Sequence, residues 1–339
     1  MKKVVVDEPR KVSIVEAEIP ELEEGEALLK VMLGGVCGSD LGLYNGTMQG
    51  YATYPRVPGH EVAATIVKTC GDCGDIKEGD LVTLSPYIHC GGCYSCRRGL
   101  INCCVNNKTM GLGIDGVFAE YMKMPAFRLH KTEGLTPEET ALVEPFCIGY
   151  HAAGRSRAVA GERALVVGAG TIGIFTMISL KLRGAEVTVA NRNEARLVKA
   201  RELGADHTFA YGSEEEFMAK VAEFTDGDGY DVVVDAVGDP LVFNYCFAAC
   251  AHDARFVEVG INPKEASFPM SMLQKKEIEI IGSRNAVASD FKEVIEIIRS
   301  KKVDVNPVIT AVAKIDDVAA IFEAGKSNKT ALKTLIDFR

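Results

Sequence analysis

The sequence predicts an α/β protein built on a doubly wound parallel sheet, with a second domain beside it. The first observation is "RALVVGAGTIGIFTMISLKLRGAEVTVANRN" (163–193), which has the pattern of a strand, a glycine turn, a helix and a second strand. The second is that "GYDVVVDAVG" (229–238) and "ARFVEVG" (254–260) continue this alternation as apolar strands ending in glycine. The third is length, because 339 residues exceed one ordinary hydrophobic core.

The glycine turn indicates a dinucleotide site. Gly168, Gly170 and Gly173 fit G-x-G-x-x-G, with the required strand before them and helix after them. Such glycines permit a tight turn and let a pyrophosphate approach the helix N-terminus. An α/β fold without a nucleotide is the alternative. The predicted cofactor contacts are Gly168, Gly170, Thr171, Ile172, Gly173, Asn191, Arg192, Arg196, Val237 and Gly260.

The end of the second strand favours NADP over NAD. An NAD site places Asp or Glu there to hold the ribose hydroxyls, whereas this chain has Asn191. Arg192 and Arg196 follow, and guanidinium groups bind a 2′-phosphate well. The alternative is that both arginines are solvated charges at a helix start and that the cofactor is NAD.

Composition restricts the partners and the compartment. The chain is 47% apolar and 25% charged, with a net charge of −9, which disfavours nucleic acid and anionic membranes as partners. No signal-peptide core follows "MKKVVVDEPRK", and no apolar run approaches the roughly 20 residues of a membrane span. We therefore expect a cytoplasmic protein with reduced thiols.

Cysteines crowd the stretch "HCGGCYSCRRGLINCC" (89–104), which holds five of the chain's 11. Cys90, Cys93, Cys96 and Cys104 give C-x2-C-x2-C-x7-C, which suits a closed, tetrahedral structural zinc site. Adjacent residues rarely both reach one ion, so either Cys103 or Cys104 is left over. Buried or disulfide-linked cysteines and an iron–sulfur cluster are the alternatives. The separate C-x-x-C in "CGDC" (70–73) is interpreted as incidental loop cysteines.

A second set of metal-ligand types lies upstream. Cys37 in "GGVCGSD" with His60 and Glu61 in "YPRVPGHE" supplies the thiolate, imidazole and carboxylate of a catalytic zinc. Glu144 lies in the apolar stretch "ALVEPFCIGYH" (141–151), where a buried carboxylate needs a partner. Taken singly, each residue is equally consistent with an ordinary core or surface position.

Together these motifs resemble the zinc-dependent medium-chain alcohol dehydrogenase family. "GVCGSD", "PGHE", "CGGCYSC" and "VGAGTIG" look like its signatures, and they span essentially the whole chain. "YPRVPGHE", "VEPFCI" and "GSRNAVASDF" (282–291) suggest the sorbitol dehydrogenase-like branch, which includes polyol and sugar-acid dehydrogenases.

The resemblance implies a Rossmann-type dinucleotide domain at 148–285 and a mainly β, GroES-like catalytic domain at 1–147 and 286–339. It implies a catalytic zinc on Cys37, His60 and Glu61, with Glu144 direct or through water. It implies a structural zinc on four cysteines and selects Cys104 over Cys103. It further implies a homodimer or homotetramer.

The expected reaction is hydride transfer between NAD(P) and a secondary alcohol of a polyol or sugar acid, in a cleft between the domains. Many relatives carry a relay His five residues after the metal-binding Cys. Gly42 stands there, which predicts open space near the substrate and a different proton route. Ser39 is the candidate proton relay or else caps a turn, and Tyr44 either fills the space or packs.

Arg56 and Arg284 are candidate substrate contacts together with Glu144, although ordinary salt bridges are equally expected for the two arginines. The rival hypotheses are a zinc-free reductase of the same superfamily and a zinc-ribbon module acting on nucleic acid. A third is a non-catalytic or regulatory nucleotide-binding member of the same fold.

Overall fold

The computed structural model describes residues 1–48, 50–325 and 330–339. These residues divide into two units, Met1–Glu144 with Val287–Arg339, and Pro145–Ala286. The expected boundaries, 147 and 286, differ from these by three residues and one residue. No helix in these ranges is long and apolar enough to cross a membrane.

The first segment of the chain is mainly β-structure. A hairpin opens it, and a long strand of 11 residues (β3) follows, which is buried along most of its length. The elements are β1 (Lys2–Glu8), β2 (Lys11–Glu16), β3 (Glu26–Val36), α1 (Gly38–Tyr44), β4 (Glu61–Thr69), β5 (Leu81–Leu84), β6 (Tyr87–Ile88), α2 (Tyr94–Arg97), β7 (Lys108–Thr109), β8 (Tyr121–Pro125), β9 (Leu129–Lys131), α3 (Pro137–Ala141) and α4 (Val143–Ser156).

The middle segment alternates strands and helices. Its elements are β10 (Arg163–Val167), α5 (Thr171–Leu182), β11 (Glu186–Asn191), α6 (Glu194–Glu202), β12 (His207–Ala210), α7 (Glu214–Thr225), β13 (Tyr230–Asp235), α8 (Pro240–Ala248), β14 (Cys250–Glu258), α9 (Met270–Lys276) and β15 (Glu279–Gly282). All six strands are parallel, in the order β12-β11-β10-β13-β14-β15. This is the doubly wound dinucleotide-binding order that the glycine turn predicts.

The sequence explains why this sheet is buried on both faces. Val232, Val233 and Val234 of β13 are all fully buried, as expected for a strand covered by helices on both sides. The core on one face gathers apolar side chains of the central strands with those of α7 and α8, including Val233, Phe217 and Phe256.

The last segment returns to the first unit with α10 (Ala288–Arg299), β16 (Ile309–Lys314), α11 (Val318–Ala324) and β17 (Lys333–Asp337). A seven-stranded sheet results, in the order β16-β17-β3-β4-β5-β9, with β8 also paired to β3. Only β16 and β17 run parallel to each other among its described pairs. The C-terminal strand therefore lies directly beside the strand that leads to Cys37.

Candidate metal centres and nucleotide turn

Strand pairing brings two of the predicted zinc ligands, Cys37 and Glu61, close together. Cys37 follows the end of β3, and Glu61 begins β4, where it is paired with Gly35. A Cβ atom at Gly35 would lie 2.1 Å from the Glu61 Oε2 atom, so only glycine leaves room for that carboxylate. The register of two antiparallel strands thus places a thiol, an imidazole and a carboxylate at one end of the sheet.

Asp40 ties the two loops that carry these ligands. It is fully buried in the first turn of α1, and its Oδ2 accepts a hydrogen bond from the Cys37 amide at 2.8 Å. Its Oδ1 accepts one from the Gly59 amide at 2.8 Å, next to His60. Burial raises the pKa of Asp40, while His60 and the two amides oppose that shift. Asp40 therefore positions Cys37 and His60 relative to each other.

One ligand atom from each of Cys37, His60 and Glu61 lies within 4.8 Å of the others. His60 and Glu61 are buried, and the His60 Nδ1 atom has no hydrogen-bond partner within the described ranges. Burial lowers the pKa of His60, but the neighbouring Cys37 and Asp40 raise it well above its usual value. The site is thus electronegative, and its donor set fits a zinc ion that keeps one exchangeable position.

Lys333 of β17 completes the surroundings of Glu61. Its Nζ atom lies 2.7 Å and 2.6 Å from the two carboxylate oxygens of Glu61. It also donates to the carbonyl of Val36 at 3.1 Å, and the side chain is almost fully buried. Burial lowers the pKa of Lys333, but Glu61 and Cys37 raise it more, so the ammonium stays charged. Lys333 compensates the negative charge of the ligand set.

Glu144 lies near this set but is not one of the three clustered residues. Its carboxylate accepts a hydrogen bond from the Tyr87 hydroxyl, and both side chains are buried. Burial raises the pKa of Glu144 to about 7, with His60 opposing and Glu61 adding to the shift. Its predicted role as a ligand, direct or through water, stays a prediction.

The space predicted at Gly42 is not open. A Cβ atom there would lie 2.9 Å from Met48 Cγ and 3.0 Å from Met48 Sδ, so the methionine occupies the position that a larger residue would need. Tyr44 packs, because its ring contacts Phe322 and its hydroxyl donates to Glu323 at 2.6 Å. The prediction of open space is wrong because it considered residue 42 without its neighbour across the turn.

Ser39 presents a hydroxyl beside Cys37 that no described residue engages. Its Oγ atom is buried and lacks a hydrogen-bond partner in the described ranges. It therefore does not cap the local backbone, and it retains the capacity to donate and accept.

The four cysteines of the second predicted site also converge. Their sulfur atoms lie within 4.8 Å of one another, and Cys93 Sγ is 3.4 Å from Cys96 Sγ and 3.9 Å from Cys104 Sγ. Cys103 is exposed and outside the group. Hydrogen bonds from the backbone lower the pKa of Cys93 to about 6. None of the 11 cysteines, all of which lie in the described ranges, forms a disulfide, and the four converging sulfur atoms have the geometry of a metal site.

The glycine turn has the backbone that its motif requires. Gly168 has φ +107°, and a Cβ atom at Gly173 would lie 1.7 Å from the Gly168 carbonyl oxygen. Gly170 caps α5, which begins at Thr171 and continues through Ile172. The helix N-terminus is therefore open to close approach by a phosphate.

Asn191, at the end of β11, is used within the protein. Its Oδ1 accepts from the Ala169 amide at 3.3 Å, and its Nδ2 donates to the Asn193 carbonyl at 3.1 Å. The Arg192 guanidinium lies over the Tyr211 ring at 5.7 Å. Arg196 approaches the turn, with Nη1 3.9 Å from the place of a Cβ on Gly170.

The remaining predicted substrate and cofactor contacts lie in different environments. Arg56 forms an ion pair with Asp115 at 2.9 Å and also bonds Thr53, so it takes the salt-bridge alternative. Arg284 and Val237 are exposed. Gly260 lies against Gly238, since a Cβ on Gly260 would be 2.2 Å from the Gly238 Cα atom. Substrate roles for Arg56 and Arg284 stay predictions.

Sequence reasoning missed three residues around the first site. Asp40 had a local signal, because an acid three residues after a helix N-cap often bonds back to the cap amide. Tyr87 and Lys333 had none, since their partners lie 57 and 272 residues away along the chain.

Comparison with known proteins agrees with this geometry. Residues 23–134 match the alcohol dehydrogenase GroES-like domain, and residues 171–300 match the zinc-binding dehydrogenase family. The chain is 32% identical to L-galactonate-5-dehydrogenase of Escherichia coli (strain K12), over 100% of this chain and 99% of that one. It is 30% identical to sorbitol dehydrogenase of Bacillus subtilis (strain 168), over 91% and 89%.

A solved structure described as an alcohol dehydrogenase of E. coli CFT073 with NADH superposes with a TM-score of 0.92, at 30% identity and 99% coverage of both chains. Since the similarity extends over both units and nearly the full length, this chain belongs to the zinc-type medium-chain alcohol dehydrogenase family and is a zinc-dependent oxidoreductase.

Proposed function

We propose that this oxidoreductase transfers a hydride between NADP and a secondary alcohol group of a polyol or a sugar acid. The observation that carries the proposal is the convergence of Cys37, His60 and Glu61 in one buried, electronegative site. The relatives named for L-galactonate and sorbitol support the substrate class. The intact ligand set favours an enzyme over the non-catalytic alternative.

Cys37, His60 and Glu61 would hold the catalytic zinc. When bound, zinc supplies a Lewis acid that lowers the pKa of an alcohol. Lys333 fixes the Glu61 carboxylate, and Asp40 fixes the loops of the other two ligands. Glu144, held by Tyr87, adds a second carboxyl group beside His60.

Ser39 is the proposed proton acceptor. Its Oγ is buried, lies two residues from Cys37 and has no partner in the described ranges, so it is available to a substrate hydroxyl. A histidine relay from position 42 is excluded, because Gly42 stands there and Met48 fills the adjacent space. Ser39 would then pass the proton to solvent.

The preference for NADP rests on the end of β11. The Asn191 side chain carries no charge and is engaged by Ala169 and Asn193, so no carboxylate repels a 2′-phosphate there. Arg192, stacked on Tyr211, and Arg196, beside Gly170, add two positive charges. The bound nucleotide supplies the hydride acceptor.

We further propose that Cys90, Cys93, Cys96 and Cys104 hold a second, structural zinc, as their converging sulfur atoms suggest. We also propose a cytoplasmic homodimer or homotetramer. Free thiols throughout the chain support a reducing compartment.

The test is a screen of the zinc-loaded protein with NADP and NAD against polyols, aldonates, sugar phosphates and simple secondary alcohols. We expect the highest kcat/KM with NADP and a polyol or an aldonate, and no turnover by Cys37→Ala. Preference for NAD would refute the cofactor assignment. Turnover of simple alcohols alone would refute the substrate class, and nucleotide binding without turnover would favour the regulatory alternative.

A further inference from the structure

Two acidic side chains end adjacent strands of the nucleotide-binding unit, away from either cysteine site. Asp235 ends β13 and Glu258 ends β14, and the two residues are register partners on adjacent parallel strands. Partners in a parallel pair point to the same face of the sheet. Val233 and Phe256, two residues earlier on each strand, belong to the apolar core on that face. Both carboxyl groups therefore lie on top of this core.

Each carboxyl group has one oxygen that is buried without a hydrogen-bond partner in the described ranges, Asp235 Oδ2 and Glu258 Oε1. Asp235 is fully buried. Two ionised carboxylates in register without a counter-charge would repel each other, whereas one retained proton leaves a single negative charge on the pair. The arrangement thus favours one proton on the pair.

The surrounding groups provide no alternative counter-charge. The titratable groups that face the pair are Cys246 of α8, Tyr211 after β12, and Asp239 before α8. None of these three groups carries a positive charge, and the Arg192 guanidinium on the far side of Tyr211 shifts the pKa of Tyr211 but of neither carboxyl group. Burial raises the pKa of Cys246 well above its usual value and that of Tyr211 to about 12, so both stay neutral.

Asp235 also organises the loops at the carboxyl end of the sheet. Its Oδ1 accepts hydrogen bonds from the amides of Val237 at 2.7 Å and Gly238 at 3.1 Å. Its backbone carbonyl accepts from Val259 at 3.0 Å and Gly260 at 3.2 Å. Gly238 has φ +74° and touches Gly260, so the segments that follow β13 and β14 are in close contact.

We propose that Asp235 and Glu258 together hold one proton, the shared proton of the pair, and that this pair is a positioning element that holds the Val237–Gly238 turn against Gly260 for cofactor binding. The cofactor effect rests on the proposed pyridine-nucleotide function, whereas the shared proton does not. Burial raises the pKa of Asp235 to about 6, and burial together with Asp235 raises that of Glu258 to about 8.

The sign of the pH effect follows from these shifts. A carboxyl group whose pKa is raised by folding stabilises the protein at low pH, and this contribution is lost as pH rises through the folded-state value. The pair should therefore weaken the fold as pH rises above about 4, the loss from Asp235 ending near pH 6 and that from Glu258 near pH 8, so between pH 6 and pH 8 the loss comes from Glu258.

The first experiment compares thermal unfolding of wild type and Glu258→Gln from pH 6 to pH 9. The amide has the shape of the carboxyl group and stays uncharged over this range, so it removes the ionisation of Glu258. We expect the Tm of the variant relative to wild type to rise by about 5 °C over this range. Glu215→Gln, on the exposed face of α7, is the matched control and should give a flat difference. A flat difference for Glu258→Gln would refute the shared proton.

Asp235→Asn is the second variant, because its Oδ1 still accepts from the two amides while the side chain stays uncharged. Its Tm relative to wild type should also rise as pH increases. It keeps the test available if Glu258→Gln fails to fold. NADPH titrations at the same pH values then test positioning. We expect the Kd of wild type to rise at least roughly threefold relative to either variant.

If the Kd of NADPH changed with pH equally in wild type and the variants, while the Tm difference still rose, the positioning role would be refuted. A protein that binds neither NADPH nor NADH, with the Tm result intact, would refute the proposed function and leave the shared proton standing.

Discussion

Lys333→Met removes the buried ammonium that bonds both oxygens of Glu61. The replacement has similar length and no charge, so the carboxylate of Glu61, which is 1% exposed, loses its counter-charge. Removing one partner of a buried ion pair costs about 3–5 kcal/mol. We expect the free energy of unfolding of the zinc-free variant to fall by about 3–5 kcal/mol.

The assay is urea unfolding of chelated protein, followed by circular dichroism. Lys301→Met is the matched control, because Lys301 bonds Glu139 at 2.6 Å but is 62% exposed, and the buried Glu139 carboxylate keeps a hydrogen bond from the Thr136 amide, so we expect a smaller loss than for Lys333→Met. Zinc should stabilise Lys333→Met more than wild type, since the ion restores a positive charge beside Glu61. The double variant Lys333→Met/Glu61→Gln should recover most of the lost stability.

Equal losses for Lys333→Met and Lys301→Met would refute this reasoning. Such a result would mean that Glu61 is solvated or protonated in the zinc-free protein, and that the ammonium does not compensate the ligand set.

Further predictions concern both metal sites and the nucleotide turn. Cys90→Ser should remove about one zinc per chain by metal analysis and lower Tm; unchanged zinc content would refute a structural ion. Arg192→Ala should raise the Kd of NADPH by about 10-fold or more and leave that of NADH nearly unchanged, as measured by fluorescence titration, because a charge-assisted hydrogen bond is lost. Gly42→His should cost about 1–3 kcal/mol in urea unfolding through its clash with Met48. Met48→Ala should relieve that loss, and a stable single variant would refute the clash.

The nucleotide-binding unit was predictable because its signals are local. The glycines at 168, 170 and 173, with a strand before them and a helix after them, identify the turn, and the all-parallel sheet follows from the alternating strands and helices. The convergence of four cysteines is likewise encoded in their short spacing.

The remainder depends on contacts between distant segments. Lys333 reaches Glu61 only because β17 pairs with β3, and no local sequence pattern predicts that pairing. Met48 fills the space beside Gly42 through the path of one turn, which a motif search does not see. The Asp235–Glu258 pair depends on the relative register of two strands, and a shift of one residue would place the two acids on opposite faces.

The cysteine-bearing segment 90–104 has almost no hydrocarbon interior. Asn102 and Cys104 are buried in it, whereas the side chains of Tyr94 and Leu100 are exposed. With the proposed zinc bound, four metal–sulfur bonds would hold this segment together, so its opening rate would follow ligand exchange. Trypsin should then cut at Arg97 or Arg98 on the timescale of chelation.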